Sequence, residues 1–125
     1  MKRFLGLIAL LTIGITLVPS CKNDDPSVAK VFVRNYNRQL IADAKVVIIG
    51  DVNSDPATPD YVDTLETNSS GFAAFDLAPL FDTYTKDQEE LAFFDVLVKY
   101  DNKEQWEEMR ARAHITNVLT VILPQ

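Results

Sequence analysis

The chain has 125 residues, with 12 Lys and Arg against 18 Asp and Glu, one His and one Cys. That length sets a single domain as the expectation. A net charge of −6 repels phosphate backbones and argues against nucleic acid as a partner; one cysteine rules out a disulfide framework, and one histidine leaves no histidine-rich zinc chemistry.

Met1-Lys2-Arg3 is a basic start, and Phe4 to Val18 is almost wholly apolar. This run of fifteen residues falls short of the roughly 20 needed to span a bilayer, and the small Ser20 precedes Cys21, so residues 1–20 read as a cleaved export signal. Val18-Pro19-Ser20-Cys21 resembles the lipobox of bacterial lipoproteins, in which the thiol is acylated and becomes the new N-terminus, although Pro19 is unusual there. The other reading of these residues is an ordinary signal peptide followed by an unpaired thiol. Lys22-Asn23-Asp24-Asp25 resembles the acidic tract that sends lipoproteins to the outer leaflet of the outer membrane in a large Gram-negative phylum; Lys22 to Ser27 also suits a plain polar tether. The expected organisation is a signal at 1–20, a lipidated tether at 21–27 and one domain at 28–125. Cleavage removes Lys2 and Arg3 and moves the net charge to −8, so membrane contact is expected from the lipid alone.

Beyond the tether the periodicity is 2 rather than 3.6. Val28 to Asn35 and Ala44 to Gly50 are β-branched runs separated by a polar turn, and Asp51 to Asp60 is a loop broken by Pro56 and Pro59. Tyr61 to Thr67 and Phe72 to Leu77 read as strands joined by Asn68-Ser69-Ser70-Gly71, where Asn68 starts the turn and Gly71 supplies a positive φ. Ala78 to Glu90 suits one helical turn or a structured loop packing its aromatics on an open end of the sheet. Leu91 to Tyr100 is the strongest strand, and Asp101-Asn102 is a turn signal. Glu104 to Ile115 alternates like a strand but is rich in helix formers; between a turn and the strand Val118 to Leu123 it is read as a strand. Seven short strands imply an all-β, antiparallel β-sandwich.

Val31-Phe32-Val33-Arg34-Asn35, then Ile41-Ala42-Asp43-Ala44-Lys45-Val46, then Thr64-Leu65-Glu66-Thr67-Asn68 leading to Gly71-Phe72-Ala73-Ala74-Phe75, resemble the carboxypeptidase regulatory-like domain. Phe94 to Tyr100 fits that family's later strand, and the likeness spans about residues 28 to 123, with Asp43 where the family usually has glycine and a longer Ala78 to Glu90 insertion. The resemblance implies a transthyretin-like, broadly immunoglobulin-like sandwich.

Site chemistry is sparse. A nucleophile in Ser69-Ser70 would need a base, and His114 is the chain's one histidine. The urate-pathway hydrolase of the transthyretin-like group depends on several histidines and a C-terminal Tyr-Arg-Gly-Ser, whereas this chain ends in Val121-Ile122-Leu123-Pro124-Gln125. Glu104, Glu107 and Glu108 read as a solvated face rather than a glycosidase pair. Asp51, Asn53 and Asp55 open like a Ca²⁺ loop, but Pro56 replaces its glycine and Val62 its bidentate glutamate, so a solvent turn is the more economical reading. Tyr61, Tyr84, Tyr100 and Trp106 are a possible sugar-stacking supply.

If Ala44, Val46 and Ile48 face inward, then Val47 and Ile49 face outward, and Phe32, Phe93 and Leu97 lie opposite Val31, Val33, Phe94 and Val96. Either Leu80 and Phe81 fold over these five, or they form a partner site. The expectation is a non-catalytic, lipid-anchored outer-membrane protein, displayed on the cell surface or otherwise facing the periplasm, with no cofactor, acting as a protein-interaction or accessory module; the alternative is a carbohydrate-binding lipoprotein of a polysaccharide-uptake system.

Overall fold

A computed structural model describes residues 24–125, so Cys21, Lys22 and Asn23 lie outside the described residues. Seven strands follow in order: β1 (Val28–Arg34), β2 (Lys45–Gly50), β3 (Val62–Glu66), β4 (Phe72–Asp76), β5 (Leu91–Tyr100), β6 (Lys103–Arg112) and β7 (Thr116–Ile122), with one short helix, α1 (Ala78–Phe81), between β4 and β5. They form two sheets, a three-stranded one in the order β4-β1-β7 and a four-stranded one in the order β3-β2-β5-β6.

Strict alternation builds the core. Ala29, Val31 and Val33 of β1 and Val46 and Ile48 of β2 are fully buried, as are Phe75 of β4 and Val96 and Val98 of β5, with Phe94 at 1% exposure. Burial of each of the larger of these side chains contributes about 1.5–3 kcal/mol. Met109 and Ala111 of β6 also point inward, so the segment from Glu104 is a strand in spite of its helix-forming composition: a ten-residue pairing with β5 overrides intrinsic preference.

The expectation of a wholly antiparallel sandwich needs correction. β1 pairs antiparallel with β4 but parallel with β7, in register Val28↔Thr116 to Arg34↔Ile122. Alternation marks which residues face inward and carries no information about strand direction. β7 enters after a turn that leaves the other sheet, so no hairpin dictates its sense.

Turns follow the local chemistry. Asn68 Oδ1 accepts the backbone N–H of Ser70 at 2.9 Å and of Phe72 at 3.3 Å. Gly71 has φ +77°, and a Cβ there would meet Leu40 Cβ at 2.7 Å, so the position needs glycine for conformation and for space. Asp43 also has a left-handed φ of +64°, which explains why glycine suits that position; its N–H donates to the Thr67 carbonyl at 2.9 Å, and Thr67 Oγ1 accepts from Ala44 N–H.

Leu80 and Phe81 join the core cluster rather than lying over the outward residues. Leu77 N–H donates to the Ser27 carbonyl, Ala113 N–H to the Glu90 carbonyl, and the Tyr84 hydroxyl to the Leu91 carbonyl at 2.9 Å. The segment therefore closes the end of the sandwich where β1 and β5 begin and β4 and β6 finish. Covering an outer face would have left that end of the core open to water, and the apolar side chains fill it instead.

Candidate interaction surface

The outer face of the four-stranded sheet is set by register. Across β3, β2, β5 and β6 one row reads Thr64, Val47, Leu97, Trp106; the next reads Val62, Ile49, Asp95, Glu108; on the other side runs a charged row of Glu66, Lys45, Lys99, Glu104. Val47, Ile49 and Leu97 are half-buried by their sheet neighbours, whereas Val62 is 60% and Trp106 51% exposed. No strand or helix among the described residues packs on this face.

Trp106 is held by its own strand. Its indole Nε1–H donates to Glu104 Oε1 at 3.2 Å, and the other oxygen of Glu104 meets Lys99 Nζ at 3.8 Å. Trp106, Asp95, Glu107 and Glu108 line an open depression of about 500 Å³. A second hollow of about 280 Å³, sharing Asp95 and Glu108, continues to Asp51, Phe93 and Arg110.

The five outward residues anticipated from alternation do not form one patch. Val47, Ile49 and Leu97 are brought together. Phe93 shares their face but stands opposite Arg110, where its N–H donates to Thr58 Oγ1 at 2.8 Å. Phe32 belongs to the other sheet, on the far side of the sandwich, paired with Phe72 at 5.3 Å between ring centroids. The sequence offered Trp106 as a sugar-stacking ring and Val62 as a strand residue, but did not place either on this face, nor oppose Asp95 to Glu108. The signal was present: a two-residue turn at Asp101-Asn102 pairs Tyr100 with Lys103, and counting outward places Leu97 against Trp106 and Asp95 against Glu108.

Other anticipated positions have local roles. Asp51 Oδ1 accepts Asn53 N–H at 2.9 Å, and the Asp51 carbonyl accepts from Ser54 and Thr58, an Asx turn of the kind this composition favours. Among the described residues no three His, Cys, Asp or Glu side chains converge as a metal site requires, and Asp55 is exposed. Asp24 and Asp25 are exposed at the start of the described chain. His114, in the turn after β6, has Nδ1 2.9 Å from the Asp25 carbonyl oxygen and Nε2 3.4 Å from Glu90 Oε2; it fastens the tether to the closed end. Ser69 and Ser70 are exposed in the β3–β4 turn. Among the described residues, burial raises the pKa of the Tyr84 hydroxyl, and burial followed by the Asp63 and Asp76 charges raises that of Tyr61.

No family model matches the chain, and no curated protein matches it either. A solved structure of the Bacillus anthracis TIE protein is similar, with a TM-score of 0.52 over 79% of this chain at 10% identity. The matched region makes up 16% of that chain. At that identity the likeness is one of fold: a β-sandwich domain.

Proposed function

We propose that this chain is a non-catalytic cell-envelope lipoprotein whose β-sandwich serves as a protein-interaction module or accessory subunit. The observation that carries the reading is the uncovered apolar band of Val47, Ile49, Val62, Leu97 and Trp106, rimmed by charge; contiguous bands of this kind mark partner sites on small domains. The Cys21 motif supports lipid anchoring, and Lys22 to Asp25 support display on the outer-membrane surface. No helix among the described residues is long and apolar enough to cross a membrane.

The carbohydrate-binding alternative calls for two coplanar exposed rings on one face. On this face the ring nearest Trp106 in register is the half-buried Phe93, two rows or about 13 Å along the sheet, so the protein-partner reading is preferred.

Two measurements test the proposal. Radiolabelled palmitate should enter the wild-type chain, and Cys21→Ala should leave the membrane fraction; a labelled or membrane-bound Cys21→Ala would sink the anchor. Val47→Asp with Leu97→Asp should cost about 1–3 kcal/mol, since the two half-buried side chains stand directly opposite each other and become like charges, yet leave the β circular-dichroism signal of a folded domain while abolishing recovery of a crosslinked envelope partner. Undiminished recovery would remove the docking face.

A further inference from the structure

Asp95 and Glu108 stand directly opposite each other across β5 and β6, on the outer face. Like charges in that relation destabilise a sheet. Neither is in an ion pair within 4.0 Å: the ion pairs among the described residues are Lys99–Glu104 and His114–Glu90. Arg110 lies one row further on the same face, opposite Phe93, and makes no ion pair within 4.0 Å. The adjoining depression is lined by Trp106, Asp95, Glu107 and Glu108, with no basic residue; Asp95 and Glu108 share the outward side with Trp106. A half-exposed indole is the strongest of the aromatic faces for a cation.

Resting on the docking reading above, we propose that this notch receives an arginine side chain of an extended partner segment, with an apolar residue of that segment lying on the adjoining band. The guanidinium stacks on Trp106 and is shared between Asp95 and Glu108, the planar, two-pronged contact that its donor geometry favours. An extended segment laid across the strands places its next same-side residue about 6.7 Å away. That falls between Leu97 and Val47, which are one and two strand spacings, about 4.8 and 9.6 Å, from Trp106.

The competing occupants fit less well. The depression is not a converging metal cage. A neutral sugar would strip water from the Asp95 and Glu108 carboxylates without neutralising either of them.

Trp106 is the chain's one tryptophan, so its emission reports the site directly. The full chain in detergent is titrated with a capped hexapeptide alternating arginine and valine, with its glutamate and serine counterparts, and with CaCl₂ and maltohexaose. The arginine peptide should shift the emission saturably. Its affinity should fall about fivefold in Asp95→Asn with Glu108→Gln, and fall again as salt rises from about 0.01 to about 0.5 M; the glutamate peptide should give no shift. Equal binding of the serine peptide, lost in Val47→Asp with Leu97→Asp, would overturn the cation and keep the docking face. No shift with the arginine peptide, full affinity in the neutralised variant, or a response to Ca²⁺ or maltohexaose in its place would each overturn the proposal.

Discussion

The two sheets turn contrasting faces to solvent. On the three-stranded sheet Phe32 and Phe72 pair directly across β1 and β4, and Lys30 reaches over both rings, 4.1 Å from the Phe72 centroid and 5.2 Å from that of Phe32. That aromatic cluster has its cation within the chain. On the four-stranded sheet Trp106 has carboxylates beside it, and the nearby Lys99 is engaged by Glu104. On one face the aromatic cluster meets its cation inside the chain, although Val118 and Ile122 of β7 stay exposed there; on the other the indole and its carboxylates are left in a form that an outside group can complete.

Both faces rest on one core, so the largest effect should come from breaking its closed end. Leu80→Ser with Phe81→Ser should cost about 4 kcal/mol or more, with dye-binding surface appearing on both sides of the molecule. Unchanged melting would mean that the two side chains contribute nothing to the core and would remove the closure.

The contrast itself is sharpened by matched truncations. Phe72→Ala should cost about 1–2 kcal/mol because its ring contacts Phe32 and Lys30. Trp106→Ala should stay within about 0.5 kcal/mol of wild type in chemical denaturation. Equal losses would erase the distinction between a self-satisfied aromatic cluster and an open one.

Tyr84→Phe should cost about 1 kcal/mol by deleting the hydroxyl bond to the Leu91 carbonyl. The sign of its pH effect follows from the raised pKa of Tyr84, and of Tyr61 in the same titration range. The protonated phenol is favoured in the folded state, so this stability is complete below the ordinary tyrosine value of about 10 and is lost as pH rises above it. Melting against pH from neutral to strongly alkaline should fall less steeply in the variant; an equally steep fall would assign the alkaline limb to other groups.

The smallest expected effect has the opposite sign. Glu108→Gln should stabilise the domain by about 0.2–1 kcal/mol, more at low salt, by relieving the opposition to Asp95. A loss of stability would show that the two carboxylates are compensated inside the chain.

What the sequence by itself determined is everything that depends on neighbours along the chain. Alternation located the seven strands and separated Val46 and Ile48 from Val47 and Ile49, because side chains on a strand take opposite sides in turn. Asn68 and Gly71 specified their turn by bonding and conformation within four residues. Tertiary structure alone decided the relations between distant segments: that β7 lies parallel beside β1, that Phe32 sits on a different face from Val47 and Leu97, and that Leu80 and Phe81 close an end. Residues 28 and 116 become neighbours only when both sheets close over a common core. No local preference records that pairing, because burial rewards the inward face of a strand equally whichever strand lies alongside it.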